Sequence, residues 1–390
     1  MTFLDKLLEG VEVEWMALGE ISLKISSGGT PKTSISSYYD GNIPWLRTQE
    51  VGSGDIWDTG IKITEEGLKN SSAKMIPENC VIVAMYGATV GKVGINKIPL
   101  CTNQACANIH LNEEIANYRY VYHFLLSQYE YIKSLGAGSQ TNINAQIVKK
   151  FQIPIPCPDN LRKSLEIQQK IVDILDTFTE LTAELTAELT AELTARKQQY
   201  DYFREQLLSF DENEVEWKTL GELGEIKRGV AFTKKQAVLG EFPVVANADA
   251  PIIFHNEFNR DGEFVVIARS GANAGLVSYW NEKLFLTDAF SIHPNNSVLS
   301  TKFAYYFLKK NQRKIHSMKR GSGVPHVRAS DFEIYKIPVP SLKEQERIVA
   351  ILDKFDVLTT SISEGLPKEI ELRQKQYEYY REQLLTFPKA

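Results

Sequence analysis

Thr182-Ala-Glu-Leu185, Thr186-Ala-Glu-Leu189 and Thr190-Ala-Glu-Leu193 follow one another without interruption in the middle of the chain. Outward from these units, apolar side chains at 167, 171, 174, 178, 181, 185, 189, 193, 200, 203 and 207 keep a four-and-three spacing. That spacing is a heptad seam, the stripe with which one helix packs along another. The stripe returns at 348, 351, 355, 358, 362, 366, 370, 377, 380 and 384, each position 177 after its partner. Two helices of equal length are expected, about 65 Å each for about 45 residues at ~1.5 Å per residue. Their seam centres on Leu181, Leu185, Leu189 and Leu193 in the first copy and on Leu358, Ile362, Leu366 and Ile370 in the second. Four residues advance a helix by ~6 Å and turn it only ~40° past a full turn, so each Thr-Ala-Glu-Leu unit is a stutter that a coiled coil absorbs. It is either low-complexity filler or a spacer of adjustable length. The second copy carries Gly365 and Pro367 at the matching place, so a kink or restart is expected there.

The rest of the chain is also written twice. Glu12-Val-Glu-Trp15 returns as Glu214-Val-Glu-Trp217, and Ile153-Pro-Ile-Pro156 as Ile337-Pro-Val-Pro340. Ile171-Val-Asp-Ile-Leu-Asp176 returns as Ile348-Val-Ala-Ile-Leu-Asp353, and Arg204-Glu-Gln-Leu-Leu208 as Arg381-Glu-Gln-Leu-Leu385. Between the Trp and Ile-Pro motifs the halves are dissimilar, 138 positions from Trp15 to Ile153 against 120 from Trp217 to Ile337. A fixed frame thus encloses two different inserts. The fold class expected is two α/β (α+β) domains, residues 1–160 and 211–340, separated by two long helices within 161–210 and 341–390. Leu7-Leu8 echoes Leu207-Leu208, so the repeat is circular. Antiparallel packing of the helices closes the circle about a pseudo-twofold axis, with one insert at each end.

Composition narrows the class. Of 390 residues, 43% are hydrophobic and 24% charged, the balance of a folded domain protein rather than a disordered chain. No apolar run approaches the ~18–20 residues of a membrane span, and the acidic start of the chain differs from a signal peptide; a cytoplasmic location in a bacterial or archaeal cell is expected. Cys80, Cys101, Cys106 and Cys157 form no CxxC pattern, which points to buried reduced thiols and no metal site. Net charge is −5, yet residues 302–336 hold nine basic side chains against Asp331 and Glu333. Positive charge is therefore local.

These features together resemble the specificity subunits of type I restriction-modification systems, in the subclass with TAEL-repeat spacers. The resemblance covers essentially the whole chain. It implies two target recognition domains, each reading one half of a split double-stranded DNA site, with the helices setting the gap. It also implies two modification subunits that bind S-adenosylmethionine and methylate adenine, and restriction/translocase subunits that use ATP and magnesium, so that this chain itself binds no cofactor.

Candidate DNA contacts follow from residue chemistry. In the first insert Gly28-Gly-Thr-Pro-Lys32 and Asn42-Ile-Pro-Trp-Leu-Arg-Thr48 resemble a pattern of such domains. Lys32 and Arg47 can reach phosphate or guanine, and Thr30, Thr48 and Gln49 can hydrogen-bond bases; Trp45 reads as core. Ser139, Gln140 and Asn142 lie in a polar loop before Ile153, and Lys319, Arg320, Ser322, His326 and Arg328 occupy the matching place before Ile337. Each loop is either a DNA contact or simply solvated. Asn247, Arg269 and Asn273 are further candidates, and the run Lys309–Lys314 is either a solvated helix face or a phosphate track. Tyr86-Gly-Ala-Thr-Val-Gly-Lys92 falls one residue short of a P-loop and has Val93 where Ser or Thr must bind magnesium; it reads as a strand-turn in the domain core. No adenine-methyltransferase Asn/Asp-Pro-Pro-Tyr motif, complete Walker A or nuclease cluster is present, so the chain reads as non-catalytic. The competing readings are a coiled-coil scaffold joining two protein-binding modules, and the recognition half of a methyltransferase-nuclease fusion, which the repeat disfavours by occupying both chain ends.

Overall fold

The computed structural model describes residues 3–52, 54–136, 142–233, 238–248, 250–321, 323–360 and 365–388. The chain divides into two compact units, Met1–Thr186 with Glu371–Ala390, and Ala187–Ile370. Each contains one insert, and the 47-residue helix Leu161–Leu207 belongs partly to each.

In the first unit the repeated motifs are the two strands of one ladder. Val13–Ala17 pairs antiparallel with Gln152–Pro156, and Trp15 lies opposite Pro154. A two-stranded ladder suits Ile-Pro-Ile-Pro, because proline has no N–H to give to a further strand. Beyond it a five-stranded sheet runs in the order Ser22–Ser27, Cys106–Leu111, Val81–Ala84, Val93–Asn96, Gly54–Ile56. A three-stranded sheet places Tyr39–Leu46 between Lys62–Ile63 and Cys101–Thr102. Strand Val81–Ala84 is buried on both faces: Val81 and Val83 enter the main core, while Ile82 and Ala84 enter a second one, as the alternation of a strand requires.

The second unit repeats this plan with different residues. Glu216–Thr219 pairs with Lys336–Val339, and Trp217 lies opposite Pro338. A four-stranded sheet runs Gly224–Arg228, Ala289–Pro294, Glu263–Ala268, Val277–Asn281, and a three-stranded sheet places Phe242–Val245 between Ile253–His255 and Phe285–Leu286. Val265 and Ile267 face one core, Phe264 and Val266 the other. In both units the middle strand of the small sheet makes one parallel pairing, Trp45 with Cys101 and Val244 with Phe285. Two inserts unlike in sequence and length therefore share one strand order, apart from the additional edge strand Gly54–Ile56 of the first.

Each insert is fastened to its helix by equivalent side chains. Buried Gln168 accepts the Asn117 N–H at 2.8 Å and donates to the Ile115 carbonyl at 3.0 Å. Buried Gln345 accepts the Ser300 N–H at 2.8 Å and donates to the Val298 carbonyl at 2.9 Å. Two turns further on, Asp176 bonds Arg119 and His123, both at 2.7 Å. Asp353 bonds Lys302 and Tyr306, both at 2.6 Å. Asp176 is held down to about 2: burial acts to raise it, but the hydrogen bonds and charges of His123 and Arg119 outweigh that.

The second helical stretch is not one helix of matching length. It consists of Leu342–Thr360 and Gly365–Leu385, the latter restarting at a glycine with φ of 78°. In the first unit Phe178 stacks on Tyr380 with centroids 5.6 Å apart, and Thr179 meets the Tyr377 hydroxyl at 3.0 Å. In the second unit Tyr200 stacks on Phe355 at 6.0 Å. Among the expected seam residues, Leu185, Leu189, Leu193, Leu358 and Ile370 are half-buried and Leu366 is buried, whereas Leu181 is 55% exposed. Leu181 lines a groove together with Phe178, Tyr377 and Tyr380, where the stack of Phe178 on Tyr380 makes the ring contact. Ile362 lies outside the described residues. No described helix is long and apolar enough to cross a membrane.

Candidate nucleic-acid interface

In each unit three separate pieces of chain meet at one corner of the sheets. The first is the segment after the middle strand of the small sheet, Arg47–Gln49 or Asn247. The second is a glycine turn after a central strand, Gly87–Gly91 or Gly271–Gly275. The third is the polar loop before the last frame strand, described at Asn142 and at His326.

The glycine turns match closely. Gly87 and Gly271 have φ of 80° and 78°, and Gly91 and Gly275 have 83° and 80°; these left-handed values are strained for residues with a Cβ. Gly91 donates to the Ala84 carbonyl at 2.9 Å and Gly275 to that of Ala268 at 2.8 Å. Each turn is tied to the first segment by the fifth residue after the strand end. The Thr89 hydroxyl donates to the Thr48 carbonyl at 2.9 Å, and the Asn273 amide to the Asn247 carbonyl at 3.0 Å. Each is tied to the third segment through the backbone: Ile143 donates to Met85 and Val327 to Arg269, both at 3.0 Å. The first of these turns is expected from sequence as a strand-turn, but not its counterpart in the second insert. Its signal, Gly-Ala-x-x-Gly-x-Val at 87–93 and at 271–277, was present in inserts read as dissimilar. The strand-turn expected at 86–92 lies only half in the core: Val90 and Gly91 are buried, whereas Tyr86, Gly87 and Ala88 are exposed.

The candidates fall into two groups. Lys32, Gln49, Arg269 and Arg328 are exposed. Others are engaged within their unit. Thr48 is 8% exposed, and Arg47 pairs with Glu50 at 3.3 Å. The Thr30 hydroxyl donates to Gln104, and Asn142 accepts the Gly87 N–H at 3.4 Å. Lys319 donates to the Ala272 carbonyl at 2.8 Å, and Arg320 pairs with Asp331 at 3.1 Å. His326 exchanges backbone bonds with Arg320 at 2.9 Å. Ser139, Gln140 and Ser322 lie outside the described residues. Gly28 and Gly29 are needed for internal packing, because a Cβ at Gly28 would meet the Thr102 carbonyl at 2.0 Å and one at Gly29 the Ser72 hydroxyl at 2.2 Å. Trp45 is buried and donates its indole N–H to Gly29 at 2.9 Å. Within the run Lys309–Lys314, Lys309 bonds the Val277 carbonyl at 3.0 Å and Lys310 reaches Ser209 at 2.7 Å, whereas Arg313 and Lys314 are exposed; ahead of the run Lys302 pairs with Asp353 at 2.6 Å. Among the described residues no group of three His, Cys, Asp or Glu could hold a metal ion.

Residues 10–195 and 212–372 match the type I restriction modification DNA specificity domain family. The chain is 35% identical to the type I restriction enzyme EcoR124I/EcoR124II specificity subunit of Escherichia coli, over 100% of this chain and 98% of that one. It is likewise 35% identical to the EcoprrI specificity subunit of Escherichia coli, over 93% of this chain and 92% of that one. Among solved structures, one described as the structural basis of complex assembly and conformational transition of the type I R-M system is similar with a TM-score of 0.72, at 18% identity over 96% and 97% of the two chains. The S subunit from M. genitalium is similar with a TM-score of 0.52, at 20% identity over 100% of both. The chain therefore belongs to the family of type I restriction-modification specificity subunits, which supply DNA recognition and carry no catalytic step of their own.

Proposed function

We propose that the two inserts, within residues 1–160 and 211–340, read the two halves of a bipartite double-stranded DNA site, and that the helices of 161–210 and 341–390 set the gap between them. The observation that carries this reading is the duplicated plan: two inserts of different sequence on one strand order, fastened to their helices by Gln168 and Asp176 or by Gln345 and Asp353. Two unlike readers on one frame suit an asymmetric split site, as two like readers suit a palindrome. An antiparallel, pseudo-twofold pairing of the helices is supported by the order of contacts in the first unit, where Phe178 meets Tyr380 and Thr179 meets Tyr377.

The exposed Lys32, Gln49, Arg269 and Arg328 are the contacts this reading favours, Arg and Lys toward phosphate or guanine and Gln toward adenine. Two modification subunits, carrying S-adenosylmethionine, dock on the helical frame. Restriction/translocase subunits, using ATP and magnesium, complete the assembly in the cytoplasm. Each Thr-Ala-Glu-Leu unit spans ~6 Å of helix against ~3.4 Å of duplex per base pair, so one unit corresponds to about one or two base pairs of gap. Deleting Thr190–Leu193 and sequencing the methylated adenines tests this. A gap shortened by one or two base pairs with both half-sites retained is expected; an unchanged gap rules the spacer role out.

A further inference from the structure

The glycine turns are half seated and half projecting. A Cβ at Gly91 would meet the Tyr129 ring at 3.3 Å, and one at Gly275 the Ile315 side chain at 3.1 Å. The second glycine of each turn is thus packed on the helix beneath it. A Cβ at Gly87 would meet nothing within 4 Å, and one at Gly271 only the tip of Asn247 at 3.3 Å. The first glycine is required by its backbone angle and not by crowding. Directly before it stands Tyr86 in one unit and Ser270 in the other, and across from each stands a residue of the polar loop. Asn142 accepts the Gly87 N–H at 3.4 Å, and His326 is bridged to Ser270.

Backbone geometry is therefore the same at this corner in both units, while the side chains set on it differ: Tyr86 with Asn142, Ser270 with His326. The Asn142 amide oxygen holds the Gly87 N–H and the Ser270 hydroxyl donates to Asp288. What the two pairs turn outward is therefore the exposed Tyr86 with the Asn142 amide nitrogen, and the half-buried His326 ring beside Ser270. The amide nitrogen of Asn can donate to a base acceptor, His can donate or accept, and Tyr adds a ring face and a hydroxyl. A reader that must change its target without changing its fold needs this division, a rigid seat with exchangeable tips. We infer that positions 86 and 142 in the first unit, and 270 and 326 in the second, select bases in their respective half-sites, while the glycine turns only hold them in place. The inference rests on the DNA-reading function above and adds which residues discriminate.

The test uses the full chain assembled with its modification subunits. Tyr86→Ser with Asn142→His is one variant, and Ser270→Tyr with His326→Asn is the reciprocal one. Methylated adenines are sequenced and binding is measured across salt. Each variant is expected to change or relax base preference about 10- to 100-fold in one half-site, leaving the other half-site and the gap intact. Unaltered base preference in both variants overturns the inference. So does a uniform loss across all sequences with a shallower salt dependence, which marks a phosphate contact. Thermal unfolding and complex assembly are followed in parallel. Should a double variant not fold, Asn142→Ala and His326→Ala decide by the same readout. Failure of the wild-type complex to prefer any split site would instead remove the underlying reading.

Discussion

Trp15 donates its indole N–H to the carbonyl oxygen of Pro388 at 3.1 Å, joining residues 373 positions apart. Beside this bond Phe387 is 5% exposed and meets the Tyr120 ring edge-on at 6.2 Å. The last turn of the chain thus belongs to the core of its first domain. The equivalent indole nitrogen of Trp217 is buried and has no partner among the described residues, so the two units are alike in plan and unequal in detail.

Phe387→Ala should destabilise the first unit by about 3–5 kcal/mol, the usual cost of emptying a buried phenylalanine site. Urea unfolding followed by the fluorescence of Trp15 and its neighbours measures it. A loss below about 1 kcal/mol would mean the chain end is not part of that core.

Asp176→Asn should cost about 2 kcal/mol at neutral pH, since it removes charge-assisted bonds to Arg119 and His123. The sign of the pH dependence follows from the carboxyl's low value. Its folded pKa of about 2 lies below the ordinary 3.8, so its contribution is full above about 4 and is lost as pH falls toward 2. The stability difference between wild type and variant should shrink over that interval. A difference that stays constant down to pH 2 contradicts the assignment.

Gly365→Ala should destabilise the second unit by about 1–3 kcal/mol. At φ of 78° an added Cβ would lie 2.6 Å from the Val357 carbonyl. Circular dichroism during thermal unfolding reads the change, and a variant as stable as wild type would show that the restart does not depend on a left-handed residue.

Burial pushes the Cys80 and Cys106 thiols up to about 12 and that of Cys101 to about 11. Iodoacetamide reacts with the thiolate, so at pH 8 the native protein should take up one equivalent quickly, at the half-buried Cys157, and four only after denaturation. Rapid labelling of any of the other three in the folded state would refute this burial.

The amino-acid order by itself determined the frame. Trp15 and Pro154, or Trp217 and Pro338, could be recognised as recurring marks because identical residues return at a fixed spacing, and the apolar stripe from 167 to 207 declared a helix because its period is that of the backbone. Sequence also located the break at Gly365, since glycine and proline act through local chain geometry. Tertiary structure alone decided that the two inserts share a strand order, that Gln168 and Gln345 are buried fasteners, and that Lys302, Lys309 and Lys310 hold the domain together. Sheet pairing is made by backbone groups common to every residue, so unlike sequences can satisfy one ladder, and the partner of a polar side chain depends on which distant carbonyl or carboxylate the fold carries to it.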